Sequence, residues 1–266
     1  MKKLATYAAA LLLTGLSTSF AQSNTQQNLN NAIQTAENIS QDVQNASNAI
    51  NRLVFELNIT STPDANVFYS DLFVLVNHIQ NNADDIDYFM GLAHDASTVP
   101  FSTTSVNQLT AQLVVLNDDV ITLTTQIKDA VDENRYNDAN SLIPALRSTI
   151  AAQADVADNI ITEIESIKQA TAIYKVEIRL VDAQGQPTYT NDLNGYYAYN
   201  QATGEYLYPT DDHGYPTEVF YLPAGTYTFD SFNGHWSGTS SNTVTLSNAL
   251  VNEAGSIIVD LVLWSE

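Results

Sequence analysis

Residues 160–180 read IITEIESIKQATAIYKVEIRL, and the spacing of the apolar residues changes within this stretch. Ile160, Ile164 and Ile167 return at intervals of three and four, which is typical of an amphipathic helix. After Ala172 every second residue is apolar (Tyr174, Val176, Ile178 and Leu180), and the residues between them are Lys175, Glu177 and Arg179. This alternation is typical of a half-buried strand, so the chain is predicted to change from helices to strands near Ala172.

Four apolar stripes with helical spacing precede this point. They predict helices over about 24–57, 67–93, 105–131 and 142–167. Pro63 is expected to end the first helix and Asp64 to cap the second, and the fourth is expected to start at Pro144 after a separate short turn. We see no polar cluster within the stripes. Short loops between long helices predict an up-down four-helix bundle, and the alternative is an extended coiled coil that oligomerises.

Seven short strands are predicted after Ala172, with turn residues between them. They cover about 174–180, 195–200, 205–208, 217–222, 226–232, 243–246 and 256–264. So many short strands within about a hundred residues are typical of a β-sandwich. The predicted domains are a long-helix bundle over 22–172 and a β-sandwich over 173–266.

The first residues have the pattern of a secretory signal peptide. Lys2 and Lys3 precede the apolar run AAALLL at 8–13, and Ser19-Phe20-Ala21 places small residues before a cleavage site after Ala21. The run is shorter than the ~20 residues that span a bilayer, and no later segment is long and apolar enough. We therefore expect the chain to be secreted, periplasmic or at the cell surface, with residues 1–21 removed and no transmembrane segment left.

Composition narrows the classes of function. The chain has no cysteine, which excludes disulfides and thiolate metal sites. Its 30 Asp and Glu against nine Lys and Arg give a net charge of −21, which argues against a nucleic-acid partner because phosphates are bound by Lys and Arg. The excess of acid is explained by solubility, a saline habitat or bound cations, and the sequence leaves these three open.

The strand-rich part resembles a known group of domains. Three stretches carry the resemblance: Val181-Asp182-Ala-Gln-Gly185-Gln-Pro187, residues 210–214 (TDDHG) and residues 222–229 (LPAGTYTF). They resemble the prealbumin-like sandwich of carboxypeptidase-regulatory-like and related bacterial surface domains. The resemblance implies an antiparallel sandwich that serves as a spacer, a stabilising appendage or a binding domain, and fold likeness assigns no activity.

Aromatic residues are the strongest candidates for a binding site. Eight of the fourteen tyrosines lie between Tyr196 and Tyr227, and Trp236 lies in a predicted glycine-flanked loop, 233–238. We expect a flat, polar-edged platform for a glycan or protein partner, made by Tyr206, Tyr208, Tyr215, His235 and Trp236. The alternative is that Trp236 only anchors its loop against the sheet.

Metal binding and catalysis have weaker support in the sequence. Asp211 and Asp212 are candidate Ca²⁺ ligands, although an ordinary turn explains the same residues. No metalloprotease motif, nucleophile elbow or phosphate-binding loop appears, so we expect no enzyme and no other cofactor. The sequence therefore predicts a non-enzymatic envelope or secreted protein with an adhesion, scaffolding or structural role. A soluble ligand-binding protein is the alternative, and a helical toxin-like protein is a further one.

Overall fold

The computed structural model describes the backbone of residues 2–59, 63–209 and 217–266, and the side chains of residues 24–58, 63–209 and 217–266. Four helices come first: α1 (Lys2–Ile59), α2 (Ala65–Ala96), α3 (Thr104–Asp132) and α4 (Tyr136–Ala170). Eight strands follow: β1 (Ile173–Val181), β2 (Tyr196–Asn200), β3 (Tyr206–Leu207), β4 (Val219–Pro223), β5 (Gly225–Ser231), β6 (Ser237–Ser240), β7 (Asn242–Leu246) and β8 (Ser256–Ser265). The predicted layout, helices followed by strands with a change near Ala172, is confirmed.

The chain divides into two compact units. The helical unit comprises Asn24–Ala96 and Phe101–Ile167, and the strand unit has Lys168–Glu266 as its main part. The predicted signal peptide, residues 1–21, lies outside the residues whose side chains the structure describes. Its removal and the predicted domain limits, 22–172 and 173–266, stay predictions.

The apolar stripes of all four helices meet in one core. In α2 the buried side chains are Ala65, Phe68, Leu72, Val76, Ile79, Ala83, Ile86, Met90 and Ala93, which follow the predicted spacing of three and four. Leu29 and Ile50 of α1, Leu113 of α3 and Ile160 of α4 belong to the same buried cluster and are fully enclosed. No helix could bury its stripe alone, so the four stripes stabilise one another.

Polar contacts join each helix of this unit to the next. In chain order these are the Arg52–Asp71 ion pair and the His78–Asp42 contact (α1–α2), Thr110 to Asp87 (α2–α3), Gln153 to Asn117 (α3–α4) and Arg147 to Asn51 (α4–α1). Asp42 precedes Arg52 in α1, whereas its partner follows Asp71 in α2, so these two helices run antiparallel. The last contact returns from α4 to α1.

The predicted helix ends are partly right. Asp64 caps α2, because its Oδ1 accepts the amide hydrogens of Asn66 and Val67 at 3.1 and 3.2 Å. The expectation that the fourth helix starts at Pro144 is wrong, since α4 already begins at Tyr136 and contains Pro144. Ala139 is fully buried in the helical core, and this burial stabilises the turns that precede the proline.

A buried polar pair interrupts the apolar core, where the sequence predicted none. Asn117 of α3 and Gln153 of α4 are 2 % and 1 % exposed. Gln153 Nε2 donates to Asn117 Oδ1 at 2.7 Å, and Asn117 Nδ2 donates to the carbonyl of Val76 at 3.0 Å. Three helices are thus joined at one level, and a satisfied polar layer of this kind penalises any other alignment of the helices.

The strands form two four-stranded sheets with a common core. The first has the order β4-β1-β8-β6 and the second the order β3-β2-β5-β7. Side chains from both sheets meet in one apolar cluster that includes Val176, Phe220 and Val259 from the first and Tyr227 and Phe229 from the second. The strand unit therefore has its own core, separate from that of the helices.

Two details differ from the predicted set of antiparallel strands. The strand β1 pairs with β8 in parallel, which is possible because the intervening chain crosses through the second sheet before it returns. The strand β6 was missed, because its residues SGTS contain no apolar alternation. Gly238 in β6 lies against the indole of Trp264, its partner in β8, and an added Cβ would overlap that ring.

The buried polar pair allows a test of the helical core. Gln153→Leu is expected to lower the free energy of unfolding by about 1–3 kcal/mol, because Asn117 Oδ1 is then buried without its donor. The double variant Asn117→Leu/Gln153→Leu should recover most of this loss, since neither group of the pair is left unpartnered. Urea unfolding followed by circular dichroism measures both.

The exposed Gln34→Leu is the control for the same exchange and should stay within about 0.5 kcal/mol of the wild type. A double variant less stable than Gln153→Leu would contradict the assignment of the loss to an unpaired acceptor.

Candidate functional site

Four of the predicted platform residues lie within the described part of the chain. Tyr206 is in β3 and Tyr208 follows that strand, whereas His235 and Trp236 lie in the loop between β5 and β6. The side chains of Tyr206, Tyr208 and Trp236 are 55 %, 57 % and 61 % exposed. Tyr215, and the candidate Ca²⁺ ligands Asp211 and Asp212, lie outside the described residues, so these remain predictions.

Tyr206 and Tyr208 belong to a larger aromatic cluster on the second sheet. The ring of Tyr206 lies 5.5 Å from Tyr197 and 4.9 Å from Tyr199, both in β2. Phe232, the residue that follows β5, lies 5.1 Å from Tyr197 and 5.9 Å from Tyr208. We call these five residues the aromatic cluster. Ring separations of this size are those of favourable aromatic pairs, so the rings hold one another in place.

Sequence reasoning missed three members of this cluster. Tyr197 and Tyr199 are among the eight tyrosines between Tyr196 and Tyr227, but neither they nor Phe232 are part of the predicted platform. The signal was present in residues 196–200 (YYAYN), because alternate residues of a strand point to opposite faces. Tyr196 and Ala198 are buried, and Tyr197 and Tyr199 lie on the opposite face, next to Tyr206.

The cluster borders a depression of about 400 Å³. Its lining adds Asp230, Ser231 and Asn233 to four of the five rings. Asp230 accepts hydrogen bonds from the hydroxyl of Thr239 at 2.6 Å and from that of Tyr197 at 3.4 Å. Burial, and then the negative charge of Asp230, raise the pKa of Tyr197, so its hydroxyl remains a hydrogen-bond donor at neutral pH. The site therefore combines exposed ring faces with hydroxyl, amide and carboxylate groups.

Hydrogen bonds to Asp192 hold the loop that carries His235 and Trp236. The carboxylate of Asp192 accepts the backbone N–H of His235 at 3.0 Å and that of Trp236 at 2.7 Å. These hydrogen bonds lower the pKa of Asp192. Gly234 lies against the backbone of Asp192, where an added Cβ would overlap the carbonyl. The loop thus has a fixed conformation in which the Trp236 indole remains exposed.

The predicted platform is therefore divided in two. The rings of His235 and Trp236 lie 4.5 Å apart and nearly perpendicular. Among the described residues, no ring contact joins either of them to Tyr206 or Tyr208. Asn233 connects the two parts along the chain, since it lines the depression and lies two residues before His235. The alternative role of Trp236, anchoring its loop, is met by its backbone, because its N–H binds Asp192 and its carbonyl accepts the N–H of Glu266 at 2.9 Å.

The helical unit has a second depression of about 400 Å³, between α1 and α2. All of its lining side chains are polar: Asn38, Gln41, Asp42, His78, Asn81 and Asn82. Asp42 Oδ1 lies 3.7 Å from His78 Nδ1. Burial raises the pKa of Asp42, and the contact with His78 opposes that shift.

The described part of the chain contains no group of three or more His, Asp or Glu side chains placed to share a metal ion. Within these residues no helix is both long enough and apolar enough to cross a membrane.

Comparisons with protein-family models, curated proteins and solved structures find no match to this chain.

The role of Asp192 can be tested directly. Asp192→Ala is expected to speed hydrogen exchange at the amides of His235 and Trp236 and to lower the melting temperature at pH 7. Since the folded-state pKa of Asp192 is lowered, its contribution is present above its unfolded value of about 3.9 and is lost as the pH falls through the folded value. The difference in melting temperature from the wild type should therefore shrink below about pH 4.

The control is Glu253→Ala, which removes another exposed carboxylate of the strand unit and should leave these two amides unchanged. Equal exchange at His235 and Trp236 in Asp192→Ala and the wild type would show that other contacts hold the loop.

Proposed function

We propose that this chain is an exported, non-enzymatic protein of the cell envelope or its surroundings, with an adhesion, scaffolding or structural role. Export rests on the predicted signal peptide at residues 1–21. In this proposal the helical unit is a closed up-down four-helix bundle, and the strand unit is a prealbumin-like sandwich that carries the binding surface. Polar contacts join α1 to α2, α2 to α3, α3 to α4 and α4 to α1, and these contacts support the bundle. The core shared by the two sheets supports the sandwich.

The aromatic cluster is the observation that carries the proposed binding role. Burial of large rings stabilises a folded chain by about 25 cal/mol per Å² of apolar surface removed from water. Tyr206 and Tyr208 are instead more than half exposed, and Phe232 is 43 % exposed. Exposed rings grouped around a depression with polar edges are typical of surfaces that bind a partner. The proposed partner is a protein or glycan at a cell surface.

The polar groups of the depression support a binding role over a catalytic one. Asp230 is the carboxylate among the lining residues, and Thr239 and Tyr197 already donate hydrogen bonds to it. Neither partner is a base that would activate a nucleophile. This arrangement orients Asp230 for recognition.

A paired set of variants tests the proposed surface. Tyr206→Ser/Tyr208→Ser is expected to weaken binding by about tenfold or more, because two exposed rings of the depression are removed. Tyr221→Ser is the matched control, since Tyr221 is 68 % exposed on β4 of the other sheet. Binding is measured on surfaces coated with envelope preparations, matrix proteins or polysaccharides. Equal retention of all three proteins on every surface would overturn the aromatic cluster as the adhesive site.

The polar depression of the helical unit favours a second candidate function, a soluble ligand-binding protein. The amides of Asn38, Asn81 and Asn82 make no hydrogen bond to other described residues, and amide groups donate and accept in the way a small polar ligand requires. In this candidate the ligand binds at the surface between α1 and α2, outside the apolar core of the helices.

Thermal melting in the presence of amino acids and small sugars separates this candidate from the first. A ligand that binds the native state raises the melting temperature, so one of these compounds should stabilise the wild type but not Asn81→Ala/Asn82→Ala. The exposed Asn48→Ala on α1 is the control and should respond like the wild type. Absence of any shift in the wild type would remove this candidate.

A further inference from the structure

The second sheet has one face that points away from the core of the strand unit, and the composition of this face is unusual for so acidic a chain. Strand alternation sends these side chains outward: Tyr206 from β3, Tyr197 and Tyr199 from β2, Thr226, Thr228 and Asp230 from β5, and Thr243 and Thr245 from β7. We call this surface the Tyr–Thr face. The described residues of this face include one carboxylate, that of Asp230, and no Lys or Arg.

We propose that the Tyr–Thr face binds an extended, uncharged glycan chain that lies across the strands. The inference rests on the proposed adhesive function and names the chemistry of its partner. A pyranose ring has an apolar face of C–H groups and a rim of hydroxyls. Such a ring needs a flat aromatic surface and, beside it, groups that both donate and accept hydrogen bonds.

The register of the sheet places these two kinds of group in one row. Tyr206 faces Tyr199, Tyr199 faces Thr228, and Thr228 faces Thr243 across the next strand. Four strands about 4.8 Å apart make this row about 14 Å long. The row is longer than a single sugar ring, with aromatic rings at one end and hydroxyls at the other.

The hydroxyl half consists of Thr side chains whose hydrogen bonds can be redirected to a ligand. Thr226 and Thr245 share a hydrogen bond of 2.9 Å, and Thr228 and Thr243 share one of 2.7 Å. Gln201 Nε2 also donates to Thr228 Oγ1 at 2.6 Å. Each hydroxyl both donates and accepts, so a sugar hydroxyl can bind here without leaving a buried polar group unpaired.

The aromatic half is organised before any ligand arrives. Tyr206 contacts two rings of β2, and Phe232 contacts Tyr197 and Tyr208. Side chains that are already held in place lose little conformational entropy on binding. Exposed rings fixed in this way present their faces to a ligand that has no charge of its own.

Charge selects against other partners. The chain carries a net charge of −21, and the Tyr–Thr face has no cation to bind a phosphate, sulfate or carboxylate. A cationic partner would find one carboxylate among the described residues of this face, that of Asp230, which also accepts hydrogen bonds from Thr239 and Tyr197. An uncharged polyhydroxylated chain needs neither kind of ion pair.

Native gel electrophoresis of the full chain through gels that contain polysaccharides tests this proposal. The uncharged probes are hydroxyethyl cellulose, galactomannan and soluble starch, and alginate is the anionic control. We expect retardation by at least one uncharged probe, and a dissociation constant about tenfold higher for Tyr206→Ser. Tyr206→Phe, which keeps the ring, should stay within about twofold of the wild type.

Three further variants complete the test, and the first of them keeps it independent of folding. Tyr208→Ser, at a residue that contacts only Phe232 among the described rings, should reproduce the loss if Tyr206→Ser melts early. Tyr221→Ser on β4 should be retarded like the wild type. Thr243→Val/Thr245→Val should also weaken retardation, because it removes hydroxyls while it preserves strand propensity.

The outcomes separate this inference from the function on which it rests. Retardation by an uncharged probe that depends on Tyr206 supports the glycan. Tyr206-dependent binding to alginate alone, or to the matrix proteins fibronectin and collagen alone, would overturn the glycan and leave the adhesive function standing. No Tyr206-dependent binding to any of these probes would overturn both.

Discussion

Strand alternation in β2 and β5 is the constraint on which both the core of the strand unit and its candidate site depend. Tyr196 and Ala198 of β2 point into the shared core, so Tyr197 and Tyr199 must point away from it. In β5 the same rule buries Tyr227 and Phe229 and turns Thr226, Thr228 and Asp230 outward. A shift of one residue in either strand would exchange its inward and outward side chains, and in β5 it would expose Tyr227 and Phe229 and bury Asp230. Burial of Tyr227 and Phe229 therefore also determines which side chains of β5 reach the surface.

The core that enforces this register is held without disulfides, because the chain has no cysteine. Tyr227 is fully buried, and its hydroxyl makes no hydrogen bond to the described residues. An unpaired buried hydroxyl costs about 1–3 kcal/mol, which is comparable with the gain from burying an aromatic ring. The ring is held on one side by Gly225, where an added Cβ would lie 3.2 Å from it. Packing around this residue, more than its hydroxyl, accounts for its position.

Apolar periodicity predicted the order of the elements, because the helices and the central strands each bury a full stripe or face. It failed where the buried residues are not apolar. The strand β6 consists of Ser, Gly and Thr and is held by its pairing with β8, to which no sequence pattern points. The buried Asn117 and Gln153 were missed for a related reason, since each resembles the many surface amides of the helices until its partner on another helix is known. Tyr206 and Tyr208 were found by composition, whereas Tyr197 and Phe232 join them only once the sheet is assembled.

Net charge and local charge need not agree, and the proposed site depends on that difference. Thirty acidic side chains favour solubility, but at physiological ionic strength their influence falls off over a Debye length of about 8 Å. A surface wider than this distance can remain electrically neutral even when the rest of the chain is strongly acidic. The one carboxylate on the Tyr–Thr face is Asp230, and its hydrogen bonds to Thr239 and Tyr197 make it part of the sheet. An acidic chain of this kind repels anionic polymers that come within this distance of its charged surface, and an uncharged ligand reaches the rings and hydroxyls without that penalty.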